Sequence, residues 1–414
     1  MDIMANVFGA IYNFVFYYPL LMALTLMAGG ICYRFYREPR YDVDHLPSEP
    51  LVSVLIPCHN EESCVEETIK YLEKQVYPNY EIIAIDDGST DKTVEILRSL
   101  VKENPRLRMV SLTSNRGKGT ALTMGAMASR GEYLVCIDAD ALLDPKAIRY
   151  FLWHFLHSPR VGAITGNPRV RNRSSVVGKI QVGEFSSIVG MIKRTQRILG
   201  KLYTVSGVIA AFRKKALLSV NFWSNDMVTE DIDVSWKLQL RFWDIRYEPR
   251  ALCWILMPET LKGLWRQRLR WSQGGSEVLK KYHKLMFSWK QRRMWPIFIE
   301  YMVSVIWAYC FLLTIVMYIL EKLVDLPPGI EVKSIAAGWT GVILAMVCLA
   351  QLAVGLLLDS QFERGTLRMF FWLVWYPCIY WIINATVTIF AFPRAIFKPK
   401  GTLAVWESPD RGFR

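Results

Sequence analysis

The chain contains four long stretches without a single charged side chain. No Asp, Glu, Lys or Arg occurs in residues 3–33, 301–320, 335–358 and 369–393. A charge-free apolar helix of about 20 residues matches the roughly 30 Å hydrocarbon core of a bilayer, and a helix in a soluble core rarely runs that long without a charge. The sequence therefore predicts about four transmembrane helices, namely an N-terminal anchor in residues 1–34 and three segments within residues 295–393.

Basic residues beside the first stretch predict how the chain is oriented. Arg34, Arg37 and Arg40 follow this stretch, and the positive-inside rule places this flank and the domain after it in the cytoplasm. The stretch has neither a basic region before it nor a small-residue cleavage site after it. We therefore expect an uncleaved anchor and not a signal peptide.

The C-terminal tail, residues 394–414, conflicts with this count of crossings. Four crossings would place the tail outside, whereas its residues Arg394 and Lys398 favour the inside. The stretch 369–393 contains Pro377, and it would resolve the conflict if it were broken or re-entrant. Both alternatives stay open at this point.

Residues 35–257 alternate short apolar runs with amphipathic segments. Four runs have the Val, Ile and Leu content of buried strands, and they cover residues 51–57, 81–86, 108–112 and 132–140. Buried strands separated by helices are typical of a parallel sheet that is covered on both faces. The sequence thus predicts a Rossmann-like α/β domain, in which ligands bind at the carboxyl ends of the strands.

The excess of basic residues is concentrated in one region. The net charge is +13, and residues 258–294 hold ten Lys or Arg against two acids, with Trp265 and Trp271 among them. Basic residues interleaved with tryptophan next to a span predict amphipathic helices in the membrane interface. Because no nucleic-acid-binding module is recognisable, no nucleic-acid partner is expected. The eight cysteines are scattered without a CxxC pair, which favours neither a disulfide framework nor a zinc site.

Two acidic motifs directly follow predicted strands. In Asp86-Asp87-Gly88-Ser89, an acid at a strand end can accept hydrogen bonds from a nucleoside, and glycine permits close backbone approach. In Asp138-Ala139-Asp140, two carboxylates suit Mg²⁺ or Mn²⁺ held jointly with a diphosphate. An ordinary helix cap with a glycine turn, and a chance DxD, are the alternatives.

Two further motifs lie towards the end of the α/β region and beyond it. Thr229-Glu230-Asp231 offers a carboxylate as a general base, or else a helix N-terminus stabilised by acidic residues. Residues 267–271 read QRLRW, which provides a cation for phosphate oxygens and an aromatic face for a sugar ring. Its alternative is a further turn of the basic interfacial helix.

The order DDGS, DAD, TED, QRLRW between membrane spans resembles the family 2 processive glycosyltransferases, which include cellulose, chitin and hyaluronan synthases. The resemblance implies a GT-A fold and inverting transfer from a UDP-sugar at the cytoplasmic face of a bacterial inner membrane. Within the family, the closer resemblance is to the bacterial synthases of β-1,6-linked poly-N-acetylglucosamine (PNAG). It is carried by residues 165–200, 204–214, 226–240, 247–275 and 408–412.

This resemblance implies UDP-GlcNAc as the donor and a growing biofilm exopolysaccharide as the acceptor, with a hyaluronan, chitin or cellulose type of polymer as the alternative. It also implies Mg²⁺ or Mn²⁺, a small membrane partner subunit and activation by cyclic di-GMP, although no separate nucleotide-sensing domain is visible in the sequence. His59 stands where relatives usually carry an aromatic residue, so stacking on uracil is less expected there.

The resemblance also implies roles for individual residues. Asp231 is the expected catalytic base. The donor nucleotide and its metal are expected at Asp87, Lys118, Asp138 and Asp140, with Asp138 beside the ribose and diphosphate and Asp140 on the metal. The donor and acceptor sugars are expected at Glu230, Gln267, Arg270 and Trp271.

Overall fold

The computed structural model describes residues 2–38, 41–324, 326–327, 331–332, 334, 339–399 and 401–404. The strands are β1 Val52–Cys58, β2 Tyr80–Asp87, β3 Leu107–Leu112, β4 Tyr133–Ile137, β5 Leu142–Leu143, β6 Val161–Val170, β7 Ile209–Arg213 and β8 Asp244–Ile255. The helices are α1 Asp2–Tyr36, α2 Val65–Leu72, α3 Thr93–Glu103, α4 Lys118–Ala128, α5 Ala147–Leu156, α6 Val176–Glu184, α7 Met191–Leu199, α8 Lys214–Ser219, α9 Glu230–Leu240, α10 Leu261–Met286, α11 Trp295–Leu323, α12 Trp339–Asp359 and α13 Pro377–Phe397. A π-helical turn, Phe185–Gly190, joins α6 to α7, and 3₁₀ turns cover Trp289–Met294 and Thr366–Leu373.

The strands form one eight-stranded sheet in the order β3-β2-β1-β4-β7-β6-β8-β5. The four predicted strands are confirmed as β1 to β4, and they pair in parallel. The predicted parallel pairing does not extend to β7, which runs antiparallel to β4 and β6, or to the short β5, which runs antiparallel to β8. The composition of a short apolar strand encodes its burial but not its direction, so the sequence pattern could not reveal this reversal.

The two faces of the sheet are buried by different helices. Along β1, Val54 and Ile56 pack on one face with α2, α3 and α5, whereas Leu55 packs on the other with α4, α8 and α9. This alternation follows from the two-residue period of a strand. Burial on both faces leaves the carboxyl ends of β1, β2 and β4 as the open edge for a ligand.

The helical stretch from α6 to α7 joins the α/β domain to the long apolar helices, and the sequence pattern did not single it out. Gly355 of α12 lies against Ser187, and Gly29 of α1 lies against Thr195, so closely that a Cβ at either glycine would overlap its neighbour. The apolar helices and the α/β domain are therefore packed together through this stretch. The predicted basic region 258–294 forms mainly α10, and its position in a membrane interface stays a prediction.

Among the described residues, four helices are long and apolar enough to cross a membrane. They are Ile3–Tyr36, Trp289–Leu323, Trp339–Asp359 and Ile379–Phe397. These helices correspond to the four charge-free stretches of the sequence.

Both flanks of α13 contact the α/β domain and its adjoining helices. Before α13, the Tyr376 hydroxyl donates to the carboxylate of Glu184. After α13, Lys398 Nζ lies 2.7 Å from the Asp226 carbonyl oxygen and 3.1 Å from Glu277 Oε1. The tail therefore returns to the side of the α/β domain, which favours the re-entrant alternative for residues 369–393. Residues 408–412, which contribute to the family resemblance, lie outside the described part of the chain.

Candidate active site

One cavity of about 820 Å³ brings together motifs from four distant parts of the chain. Eight of the nine residues expected at the site line it, namely Lys118, Asp138, Asp140, Glu230, Asp231, Gln267, Arg270 and Trp271. The cavity opens where β4 ends and α9 begins. Its size and mixture of apolar and charged walls are typical of a small-molecule site.

Lys118 is the group that joins two of these motifs, DAD and TED. Its ammonium lies 2.5 Å from Asp138 Oδ1, 3.4 Å from Glu230 Oε1 and 3.4 Å from the Gly207 carbonyl oxygen. Burial alone would lower the pKa of Lys118, but the carboxylates of Asp138 and Glu230 outweigh burial and hold that pKa above its ordinary value. Lys118 is therefore a permanent cation between the DAD and TED motifs.

Asp231 lies in the first turn of α9 with its carboxylate beside this cation. Its Oδ2 accepts a hydrogen bond of 3.0 Å from the Gly207 N–H, and its Oδ1 accepts one of 2.9 Å from the Ile232 N–H. Burial raises the pKa of Asp231 to about 6, aided by the Glu230 carboxylate and opposed by Lys118. Asp231 is thus ionised at neutral pH but basic enough to accept a proton.

Asp87 does not line the cavity. It is fully buried, and its two carboxylate oxygens each accept a 2.8 Å hydrogen bond, from the N–H groups of Arg116 and Gly117. Gly117, with φ +87°, turns the chain into α4 and presents Lys118. In this arrangement Asp87 holds the loop that carries Lys118, and its contact with uridine stays a prediction.

The TED motif packs against α10, the helix that carries the QRLRW segment. Gly274 of α10 lies against the side chain of Thr229, and a Cβ at Gly274 would overlap Oγ1 of that residue. Thr229 and Gln267 both line the cavity, and their buried Oγ1 and Oε1 atoms have no hydrogen-bond partner among the residues that the structure describes. Buried polar atoms of this kind normally have partners, so substrate hydroxyl or amide groups are natural ones.

The QRLRW segment presents an aromatic ring and a cation at the cavity wall. Arg268 lies 4.5 Å from the centre of the Trp271 ring and pairs with Glu184, which holds the indole in place. Arg270 lines the cavity, is exposed, and forms no ion pair or hydrogen bond with any described residue. Arg270 is therefore available for a phosphate, whereas Arg268, which the sequence did not single out, has a supporting role.

Replacing Gly274 with alanine is expected to disturb this contact. The added methyl group would push α10 away from Thr229, and a displacement of about 1 Å at a reacting centre can cost about 100-fold in rate. Turnover of the Gly274→Ala protein should fall by about that factor. Gly9→Ala is the control, since no atom lies within 4 Å of a Cβ at Gly9. Equal turnover of the two variants would contradict the expected close contact.

The residues present fit a divalent metal that is shared with a substrate. In the described part of the chain, no group of three His, Cys, Asp or Glu side chains is placed to hold a metal. Asp138 and Asp140 nevertheless both line the cavity. Mg²⁺ is commonly bound by one or two carboxylates together with phosphates of the substrate, so two carboxylates here are sufficient.

The cavity continues from these residues to the long apolar helices. Its far wall includes Tyr18 of α1, Trp307 of α11, and Trp381 and Asn384 of α13. Tyr18 and Trp381 each lie against Trp307, with ring centres 6.3 Å and 5.5 Å apart. Aromatic faces and amide groups suit a sugar chain, which has apolar ring faces and polar edges.

Sequence reasoning missed two parts of the cavity wall. The turn Thr204–Val208 lies beside Asp231, and Lys193 of α7 lies behind this turn. The Ser206-Gly207 pair is a local signal for a turn, but nothing in the sequence around Lys193 distinguishes it from other lysines of a basic helix.

Comparison with known proteins gives one consistent result. Residues 53–220 match the family described as Glycosyl transferase family 2. The chain is 40% identical over 409 residues to the poly-beta-1,6-N-acetyl-D-glucosamine synthase of Staphylococcus aureus strain COL, covering 97% of this chain and 98% of that protein. It is 41% identical over 411 residues to the enzyme of the same name from Staphylococcus epidermidis, again covering 97% and 98%.

A solved structure supports the fold. A mannosyltransferase from Pyrobaculum calidifontis, in complex with GDP-Man and Mn²⁺, superposes with a TM-score of 0.69 at 19% identity, covering 95% of this chain and 99% of that one. The expected GT-A-like α/β fold is confirmed. From the near full-length identity to the two staphylococcal enzymes, together with the matched catalytic region, we conclude that this chain is a glycosyltransferase of family 2.

Proposed function

We propose that this chain polymerises N-acetylglucosamine from UDP-GlcNAc into a β-1,6-linked polysaccharide and passes the product towards the far side of the membrane. One observation is the main support for this proposal. A single cavity contains the candidate base Asp231, the DAD carboxylates and the QRLRW segment, and it continues to aromatic residues of the apolar helices. The names of the staphylococcal relatives supply the donor sugar and the linkage.

In the proposed reaction, Asp231 removes the proton from the 6-hydroxyl of the terminal sugar of the growing chain. The freed oxygen forms a bond to the anomeric carbon of the donor as the bond from that carbon to the diphosphate oxygen breaks. UDP leaves from the opposite face, so an α-linked donor gives a β-linked product. One carboxylate is sufficient because no covalent enzyme intermediate is needed.

The departing UDP carries negative charge into a cavity that is partly closed to water. In this proposal the exposed guanidinium of Arg270 contacts its phosphates, and Lys118 keeps the cavity wall cationic beside Asp138. Mg²⁺ or Mn²⁺ bound with Asp138 and Asp140 would supply further neutralisation of the diphosphate. Trp271 offers a ring face on which an acceptor sugar can stack.

The proposed orientation has the α/β domain in the cytoplasm of a bacterium, at the inner membrane, with α1, α11 and α12 crossing and α13 returning. It is supported by the basic residues after α1 and by the contacts on both flanks of α13. In this orientation the donor and the C-terminal tail lie on the same side of the membrane.

The dependence of activity on pH follows from the raised pKa of Asp231. An acid with a pKa near 6 is protonated below that pH and cannot then accept a proton. We expect kcat to fall about tenfold for each pH unit below about 6. UDP affinity, measured at the same pH values, separates this effect from loss of the donor. A rate that stays constant down to pH 5 would remove Asp231 from the role of base.

The decisive test of the function is a reaction with purified full-length protein in lipid. The protein receives UDP-GlcNAc with Mg²⁺, with Mn²⁺ or with a chelator, and the product is sized and its linkages are determined. Long β-1,6-linked chains formed only with metal are the expected result. A single added sugar would indicate transfer to a lipid carrier, and a product that resists a β-1,6-specific hydrolase would indicate a hyaluronan, chitin or cellulose type of polymer.

A small membrane partner subunit and activation by cyclic di-GMP are supported by the family resemblance alone. Both are tested in the same assay. Addition of cyclic di-GMP, or co-purification of a small membrane protein, should raise the rate of polymer synthesis if they act on this chain.

A further inference from the structure

A lysine outside the four motifs lies buried beside the candidate base. Lys193 of α7 is 4% exposed and contributes to the cavity wall. Among the residues that the structure describes, no carboxylate lies within ion-pair distance of its ammonium group. Burial lowers the pKa of Lys193 to about 7, against the opposing influence of Asp231. Burying an amine in this way is unfavourable, so this position demands a compensating set of contacts.

Those contacts are two hydroxyl groups on different elements. Lys193 Nζ donates a 3.0 Å hydrogen bond to Thr165 Oγ1 of β6 and a second hydrogen bond to Ser206 Oγ. The Ser206 N–H in turn donates to Thr165 Oγ1 at 2.9 Å. Through these hydrogen bonds, Lys193 of α7 connects the turn that contains Ser206 with Thr165 of the sheet.

The same turn holds the base. The N–H of Gly207, the residue after Ser206, donates the 3.0 Å hydrogen bond to Asp231 Oδ2, and the Gly207 carbonyl accepts from Lys118. A Cβ at Gly207 would lie 3.1 Å from Asp231 Oδ2, so the backbone approaches the carboxylate closely. A shift of this turn would therefore move the base relative to the acceptor hydroxyl.

Helix α7, which contains Lys193, packs against the first apolar helix, α1. The hydroxyl of Thr195 donates to the Leu26 carbonyl of α1 at 3.1 Å, and Gly29 and Gly30 of α1 allow α7 to pack closely. A continuous series of contacts therefore runs from α1 through α7 and Lys193 to the turn at the base.

We propose that Lys193 is a positioning residue for the transfer reaction, because its ammonium group holds the Ser206-Gly207 turn in the position from which Gly207 orients Asp231. This inference rests on the proposed role of Asp231 as base. In this arrangement α7, which packs against the apolar helix α1, is connected through Lys193 and the Ser206-Gly207 turn to Asp231, and displacement of α7 alters the chemical step more than donor binding.

Charged and titratable groups surround Lys193 on both sides. Towards the cavity are Asp231 and, beyond it, Glu230 and Lys118. On the opposite side the Tyr247 ring centre lies 5.7 Å from the ammonium, and the guanidinium of Arg194 lies over the same ring. Removing the Lys193 cation leaves Lys118 as the principal cation beside Asp231, so the pKa of Asp231 should rise.

The test compares Lys193→Met with Thr165→Val in the full-length protein. Methionine keeps the length of the side chain but removes its charge and its donors, whereas Thr165→Val leaves the cation but removes the shared acceptor. Both variants should show kcat lowered by about 10- to 100-fold, with KM for UDP-GlcNAc and the affinity for UDP within about threefold of the parent. Only Lys193→Met should also move the acidic limb of the pH profile to higher pH. Lys215→Met, on the exposed surface of α8, is the control and should match the parent.

Turnover is followed as UDP release, so the result does not depend on which linkage is formed, and linkage analysis of the parent's product tests the proposed function separately. Parent-like kcat in both variants would overturn the proposal. Equal losses of kcat and UDP affinity would also overturn it, because they would indicate a general structural role. If Lys193→Met cannot be purified in folded form, the split between kcat and KM in Thr165→Val and Ser206→Ala decides the question.

Discussion

Asp231→Asn is expected to bind UDP normally and to lose nearly all polymer synthesis. An asparagine fills the same space, but its single carbonyl oxygen can accept only one of the two hydrogen bonds that Gly207 and Ile232 donate to the carboxylate, and it cannot remove a proton. Loss of a general base typically costs about 10²- to 10⁴-fold in rate. The measurement is kcat from UDP release, with the dissociation constant of UDP determined on the same preparation.

The matched control is Asp226→Asn. Asp226 lies in the loop before α9. Among the described residues its side chain makes only a long 3.8 Å contact, with Lys281, so its replacement should leave kcat within about twofold. Near-normal polymer synthesis by Asp231→Asn would show that another group accepts the proton. Loss of UDP binding in that variant would instead indicate that the carboxylate supports the fold of the cavity.

Lys118→Met is expected to abolish activity by a different route. The change leaves the carboxylates of Asp138 and Glu230 facing each other without the cation that now lies between them. The donor diphosphate would then meet uncompensated negative charge, and loss of one such electrostatic group typically costs about 10²- to 10³-fold. We therefore expect both a lower kcat and a weaker affinity for UDP-GlcNAc, in contrast to Asp231→Asn.

The pH profile provides an independent signature of the Lys118 change. Since the Lys118 cation lowers the pKa of Asp231, its removal should raise that pKa above about 6 and move the acidic limb of the profile to higher pH. Lys102→Met on the exposed surface of α3 is the control. Retention of more than a tenth of the parent activity by Lys118→Met would contradict the central position that we assign to this lysine.

The parts of the fold that the sequence predicted are those with a local physical signal. Strands β1, β2 and β4 are fully buried because both faces of the sheet are covered there, whereas the edge strand β3 is only partly buried. The four charge-free stretches correspond to the four long helices. Two features were not predicted in this way: the direction of β7 has no local signal, and the basic tail left the return of α13 as one of two open alternatives. They depend on contacts between residues far apart in the chain, such as Tyr376 with Glu184.

The same distinction applies to the site. Acids at strand ends and at the start of a helix could be assigned to one edge of a sheet, and the structure does bring Asp138, Asp140 and Asp231 to one cavity. The direction of the Asp87 carboxylate was not predictable, because it is determined by the backbone N–H groups of Arg116 and Gly117 on another loop. The role of Lys193 could not be predicted from the sequence, because it depends on the packing of α7 beside the Ser206-Gly207 turn.

The returning tail has a practical consequence for anyone who labels this enzyme. Leu403 and Ala404 form part of the cavity wall, and the Ala404 N–H donates to the Asn225 carbonyl at 2.9 Å. A fluorescent protein or an affinity peptide fused to the tail that follows these residues would be attached close to the cavity. Such fusions are expected to slow the enzyme even where they leave its folding and abundance intact, so a label inserted in an exposed loop of the α/β domain is the safer choice.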